Sequence, residues 1–132
     1  SVIRCARYFG CNDIIIDNNC SDPFLKRTVR VSMGTVFNTR FYYFEKIEKL
    51  LQTLKDKNIS LIGTDLSDQA SNLCDFEFPK NSCLALGSEG YGLSSEIKRH
   101  CQNLVKIPGN ADVDSLNVSV ACGIFLYKLF AK

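Results

Sequence analysis

IPGNADVDSLNVSVACGIFLYKLF, residues 107–130, begins as a strand end and loop through Ile107, Pro108, Gly109 and Asn110, and residues 115–131 then read as one helix. Within that helix only Asn117, Ser119 and Lys128 are strongly polar, so apolar positions fill every face instead of a single stripe. A helix of this kind is buried on most sides. It is shorter than the roughly 20 residues that span a bilayer, and polar residues interrupt it, so protein and not lipid covers it. Two packing partners follow, a sheet and a second subunit, with Phe125 and Leu129 assigned to the subunit face. Asn117 and Ser119, with Ser115 just before them, stand at the helix N-terminus, where unpaired N–H groups and the positive end of the dipole can hold a ligand. Ser115 can equally serve only as a cap.

Around this helix the chain has the length of one domain, 132 residues, 45% apolar and 23% charged, enough to bury a core. A net charge of +2 does not by itself call for nucleic acid. The basic residues cluster at Arg4 and Arg7, at Lys26, Arg27 and Arg30, and at Lys98, Arg99 and His100, the usual pattern of solvated faces. Seven cysteines form no C-x-x-C and no ligand set with the lone His100, which reads as reduced thiols in an intracellular protein without a metal site. Asn58-Ile-Ser60 and Asn117-Val-Ser119 match the glycosylation pattern by accident, since no secretory signal precedes them.

In chain order, residues 1–9 have helical spacing, and Gly10 supplies a residue for the turn that ends the helix. DIII at 13–16 fits a buried parallel strand. A helix follows over 23–33, closed by Gly34, then a weak strand over 41–43 and an amphipathic helix over 45–57 that buries Ile47, Leu50, Leu51 and Leu54. Strands at 59–63, 82–86 and 104–107, with a helix at 95–101 and an irregular segment over 65–79, complete the series. Strands alternating with helices imply an α/β fold, a parallel sheet flanked by helices on both faces. Such sheets bind ligands beyond the carboxyl ends of their strands. Three of those ends carry unusual sequence: Gly63-Thr64-Asp65, GSEGYG over 87–92, and IPGN over 107–110.

The middle one is the most informative. Gly87, Gly90 and Gly92 let the backbone turn sharply and present N–H groups. Their spacing is not the G-x-G-x-x-G of dinucleotide folds, and no Lys-Ser or Lys-Thr follows as in a P-loop. Glu89 within this loop is placed to accept hydrogen bonds from backbone or ligand.

LALGSEGYGLSSEI at 84–97, followed by VKIPGNADVDSLNVSVACGIFLY at 105–127, resembles the second and third motifs of the SpoU, or TrmH-like, branch of the SPOUT RNA methyltransferases. SVIRCARYFGCNDIII at 1–16 is similar to the latter part of their first motif, and DPFLKRTVRVSMGTVF at 22–37 also fits. The resemblance implies transfer of methyl from S-adenosylmethionine to an RNA ribose 2′-hydroxyl, in a homodimer built through the C-terminal helix. It also implies a deep trefoil knot, with that helix tucked through a preceding loop, and no metal and no membrane. By motif position Gly87, Ile107 and Leu116 line the S-adenosylmethionine pocket, with Thr64, Leu86 and Gly92 beside them. Arg4, Glu89, Ser115 and Asn117 match the catalytic positions. The family's first motif opens with an asparagine on a loop after an initial strand, so the expectation is that residues 1–132 lack that strand and the start of the motif.

The methyl of a sulfonium needs an aligned hydroxyl and stabilisation of developing charge. A guanidinium keeps its proton, which makes Arg4 a clamp for phosphate and oxyanion and not a base. Glu89 and Asn117 would orient Arg4 and the ribose. Ribosomal RNA is the first substrate class, from the likeness of residues 22–37, and tRNA the second. A dimer that binds RNA and keeps the cofactor pocket without turnover is the alternative from another class, and a generic nucleotide-using α/β enzyme is a third. The expected compartment is the cytoplasm, with an RNA-containing organelle such as the mitochondrion as its alternative.

Overall fold

The computed structural model describes residues 2–16, 39–87, 92–110, 112 and 115–130. The helix expected over 23–33, Gly34 and Glu89 lie outside the described residues. Helix α1 is Val2–Tyr8, followed by strand β1, Asp13–Ile16, and strand β2, Arg40–Tyr43. Helix α2, Ile47–Asp56, leads into β3, Ser60–Thr64, and then β4, Ser71–Asn72, with a 3-10 turn at Leu73–Asp75. Strand β5, Ser82–Ala85, helix α3, Ser95–His100, strand β6, Asn103–Lys106, and helix α4, Val118–Phe130, complete the order.

Helix α1 stops because of Gly10. At φ +87° this glycine takes the left-handed conformation, its N–H donates to the Arg7 carbonyl at 3.1 Å, and the Cys11 N–H reaches back to the Ala6 carbonyl at 2.8 Å. That pair of bonds satisfies the last carbonyls of the helix and aims the chain into β1.

Every described strand pairing is parallel. Strands β1 and β2 pair with Asp13 opposite Arg40, and the other four are ordered β4-β6-β3-β5. The last strand in sequence, β6, therefore lies between β4 and β3. Ile62 of β3 and Val105 of β6 are fully buried, as central strands covered on both faces require. β4 escapes the sequence pattern because its two residues are polar and exposed, and only pairing with β6 makes them a strand.

Helix α4 has two partners within its own chain. Phe125 joins Ile62, Leu73 and Val105 against the sheet, whereas Cys122 and Leu126 pack with Ala6 of α1. Leu84 and Leu86 of the β5 region touch both clusters. A Cβ on Gly123 would stand 3.2 Å from the Cys5 sulfur, so the glycine lets α1 and α4 approach closely. This corrects the assignment of α4's apolar faces. Phe125 is 3% exposed and belongs to the core, Leu129 packs half-buried against the α1–α4 cluster, and the outward apolar residues are Val120, Ile124, Tyr127 and Phe130. Helix α2 is less buried than its pattern implies, since only Leu54 of its four apolar positions is buried. Leu51 and Leu54 line a recess of about 360 Å³ at the amino end of β3, with Lys55, Ser60, His100 and Gln102.

Candidate active site

The described strand ends that carry the unusual sequence meet at the carboxyl edge of the four-stranded sheet. Thr64 closes β3, and its hydroxyl donates to the Ala85 carbonyl at the end of β5, 3.2 Å away. The next residues after Ala85 are Leu86 and Gly87. Leu86 and Ile107 both pack half-buried on the core cluster of Ile62, Val105 and Phe125. Three of the residues assigned to one pocket, Thr64, Leu86 and Ile107, thus converge from three neighbouring strands.

Gly87 has a geometric reason to be glycine. A Cβ there would lie 2.3 Å from the Gly92 carbonyl carbon, 2.5 Å from the Leu93 nitrogen and 2.6 Å from the Gly92 Cα. The two ends of the glycine loop are pressed backbone to backbone, and Gly92, at φ +68°, turns the chain out of it in the left-handed region. Leu93 then buries itself over β3, where a Cβ on Gly63 would meet Leu93 Cδ1 at 3.0 Å and Cys101 Sγ at 2.7 Å.

Helix α4 begins later than its sequence implies. Its cap is Asn117, whose Oδ1 accepts the Ser119 N–H at 2.8 Å and whose carbonyl accepts the Ala121 N–H at 2.9 Å. Ser115 is exposed two residues ahead and does not cap, and Leu116 is 47% exposed. Asn117 caps in place of Ser115 because its side chain reaches the second helical N–H.

Arg4 is exposed on α1 and borders a recess of about 300 Å³ with Cys5, Tyr8, Phe9 and Ser119. The structure thereby brings Arg4 to the first turn of α4, two residues from Asn117. Sequence reading placed Ser119 with Asn117 at the ligand-holding end of this helix but gave it no catalytic role, and the recess puts it beside Arg4. Arg7, the neighbouring arginine, is bonded to the Asn12 side chain. Burial pushes the Cys122 thiol of the α1–α4 cluster up to about 12 and that of Cys83 on β5 up to about 11.

A pairing that the sequence reading did not contain lies beside Thr64. The Asp65 carboxylate accepts the Ser67 hydroxyl at 2.7 Å on one oxygen and faces the Lys98 ammonium at 3.2 Å on the other. Burial pushes this carboxyl up, but the Ser67 and Lys98 contacts outweigh burial and hold it below the ordinary carboxylate range. A depressed carboxyl stabilises the fold above its unfolded-state value and loses that contribution as pH falls through its folded value, so the pair is fully formed at neutral pH. Lys98 had been grouped with Arg99 and His100 as a solvated cluster, and its partner 33 positions earlier leaves no local sequence signal.

Among the described residues no cluster of three His, Cys, Asp or Glu side chains is arranged to hold a metal ion. No helix among them is long and apolar enough to cross a membrane.

Comparison with known proteins agrees with this arrangement. A protein of Archaeoglobus fulgidus named an uncharacterized tRNA/rRNA methyltransferase is 32% identical over 127 residues, 96% of this chain and 56% of that protein. The structure of an AdoMet-bound rRNA methyltransferase from Sinorhizobium meliloti superimposes with a TM-score of 0.88 at 30% identity, covering 96% of this chain and 48% of that one. A solved RNA 2′-O ribose methyltransferase gives 0.82 at 28% identity over 96% and 48% of the two chains. The chain spans about half the length of such relatives. The model of the SpoU rRNA Methylase family matches residues 1–127, nearly everything described above, from α1 into the last turn of α4, and the chain belongs to that family.

Proposed function

We propose that this chain is the catalytic domain of an S-adenosylmethionine-dependent methyltransferase acting on a ribose 2′-hydroxyl of structured RNA, with ribosomal RNA as the substrate class. The observation that carries the reading is the closure of the glycine loop at Gly87, whose side-chain space is filled by Gly92 and Leu93 beside the Thr64–Ala85 bond. That cradle of backbone fits a cofactor gripped through peptide groups. When bound there, S-adenosylmethionine supplies a methyl already activated by its sulfonium. The chain's own residues do the rest. Thr64, Leu86, Gly87, Gly92, Ile107 and Leu116 form the cofactor wall, apolar side chains excluding water and backbone groups giving orientation. Arg4 holds the phosphate beside the target ribose and the oxygen that gains charge, and Asn117, rigid as a helix cap, orients the ribose with Ser115 and Glu89. The proton of the 2′-hydroxyl passes to phosphate oxygen or water, because the guanidinium donates and does not accept.

The ribose target is supported by the likeness to the solved RNA 2′-O ribose methyltransferase, and ribosomal RNA by the family's name and by the Sinorhizobium relative. The compartment is one that holds RNA and the cofactor, in the first instance the cytoplasm. Calorimetry with S-adenosylmethionine, followed by methyl transfer by the full-length protein to rRNA and tRNA read by 2′-O-methyl mapping, tests the proposal. Micromolar binding with transfer to rRNA is expected. Binding without transfer to either RNA overturns the enzyme reading, and transfer to tRNA alone overturns the substrate.

The same reading makes the backbone a trefoil knot and the protein a homodimer. Support for the knot comes from the segment between β3 and β5, whose Phe76 and Phe78 pack on the core around Phe125 and whose Cys74 carbonyl accepts the Lys128 ammonium at 3.3 Å. Support for the dimer comes from the outward face of α4, where Ile124 is 40% and Tyr127 66% exposed, the Tyr127 ring 6.4 Å from that of Phe9. Ile124→Glu or Tyr127→Glu is expected to give a folded monomer by light scattering with an unchanged circular dichroism spectrum. Dimers persisting in both variants would move the interface elsewhere. Phe125→Glu would instead bury a charge in the core and unfold the chain.

A further inference from the structure

Residues 92–104 lie strapped along β3, held at three successive places. At the amino end Gln102 is bonded twice to Leu61, its N–H donating to the Leu61 carbonyl at 2.9 Å and its side-chain oxygen accepting the Leu61 N–H at 2.7 Å. In the middle Leu93 and Cys101 fill the space that Gly63 leaves empty. At the carboxyl end Lys98 of α3 reaches Asp65, two residues beyond Gly63 and therefore on the same side of the extended chain. The first two attachments are buried or part of the backbone ladder. The third is ionic and stands at the pocket edge, where Thr64 and Gly87 are.

The order of contacts makes the third attachment consequential. Leu93 rests on Gly63, and the Gly92–Leu93 backbone rests on Gly87, so a shift of α3 away from β3 moves the wall that contains Gly87. Ser94 caps α3 by accepting the Ile97 N–H at 3.2 Å, so the residues from Ser94 to Lys98 move as one short rigid piece. Both carboxylate oxygens of Asp65 are engaged, one by Ser67 and one by Lys98, and its side chain is only 12% exposed.

We propose that Asp65 and Lys98 are positioning residues that hold the exit of the glycine loop against β3, so that cofactor affinity depends on a contact neither side chain makes with the cofactor. The inference rests on the S-adenosylmethionine reading above. It gives the pair a task that an ordinary surface ion pair, worth little to stability, does not have. Removing Lys98 leaves the partly buried Asp65 carboxylate without its cation, and the loop exit gains a freedom that binding must then remove.

The test uses the intact protein and S-adenosylmethionine as the probe. Lys98→Met is expected to weaken binding in calorimetry about tenfold, which corresponds to about 1.4 kcal/mol. The cofactor KM should rise with it while kcat at saturating cofactor stays near the parental value. Lys98→Arg should restore most of the affinity, because it keeps the charge on a long stem. The double variant Asp65→Asn with Lys98→Met should bind no worse than the poorer single variant, as two halves of one contact require. Parental affinity in Lys98→Met overturns the inference, as does a loss in kcat and KM together that Lys98→Arg fails to rescue. A parent protein that does not bind S-adenosylmethionine overturns the functional reading, and the role of the pair with it.

Discussion

Gly87→Val is expected to abolish S-adenosylmethionine binding in calorimetry, a loss of at least 100-fold or about 2.7 kcal/mol. The first atom of the new side chain would sit 2.3 to 2.6 Å from three backbone atoms of Gly92 and Leu93, and backbone cannot turn aside as a flexible side chain can. The loop ends must part, and the part that moves carries Leu93 off Gly63. The core of Ile62, Val105 and Phe125 does not include Gly87, so a cooperative thermal transition should survive. Gly92→Ala is the informative control. Nothing lies within 4 Å of its Cβ position, and the cost is confined to a left-handed φ, about 1 kcal/mol. It should weaken binding no more than about tenfold. If Gly87→Val binds as tightly as the parent, the pocket is not where the glycine loop closes.

Arg4→Ala in the full-length protein is expected to leave S-adenosylmethionine affinity nearly unchanged and to lower turnover on RNA by about 10²- to 10³-fold, the equivalent of about 3 to 4 kcal/mol of transition-state stabilisation. The separation of the two effects follows from the architecture. Arg4 borders the recess between α1 and the first turn of α4, whereas Thr64, Leu86, Gly87 and Ile107 gather at the strand ends. Lysine should rescue little, since an ammonium lacks the planar fork that grips a phosphate oxygen and the ribose oxygen together. Near-parental turnover of Arg4→Ala at saturating RNA would remove Arg4 from the reaction. Arg7 would be a poor replacement, because its guanidinium is already bonded to Asn12.

The legible parts of the fold were those whose signal is local. DIII gave β1 with its observed limits, and Gly10 marked the end of α1, because a β-branched run and a left-handed glycine carry their meaning within a few residues. The start of α4 was misread at Ser115 for a local reason too: Ser115 and Asn117 are both good caps, and only the hydrogen bonds decide between them. Helix α4 was correctly read as covered on two sides, yet its second cover is α1 from the opposite end of the chain, a relation that no periodicity encodes. The glycine loop announced itself by composition, whereas the reason for Gly87, contact with Gly92 and Leu93, appears only once the loop has closed. Asp65 and Lys98 were visible as residues and invisible as a pair.

The position of β6 between β4 and β3 has a consequence for how the chain comes into being. During synthesis β3 and β4 leave the ribosome before their shared neighbour exists, so each carries an unpaired flank towards the other. The buried centre needs Val105 and then Phe125, which arrive within the last quarter of these residues. Assembly of the sheet is therefore delayed until β6 and α4 have emerged and depends on pairings far apart in sequence, the slow kind. Until then the exposed strand flanks are open to other chains, and the interval between emergence and closure is the period in which this protein most needs a chaperone.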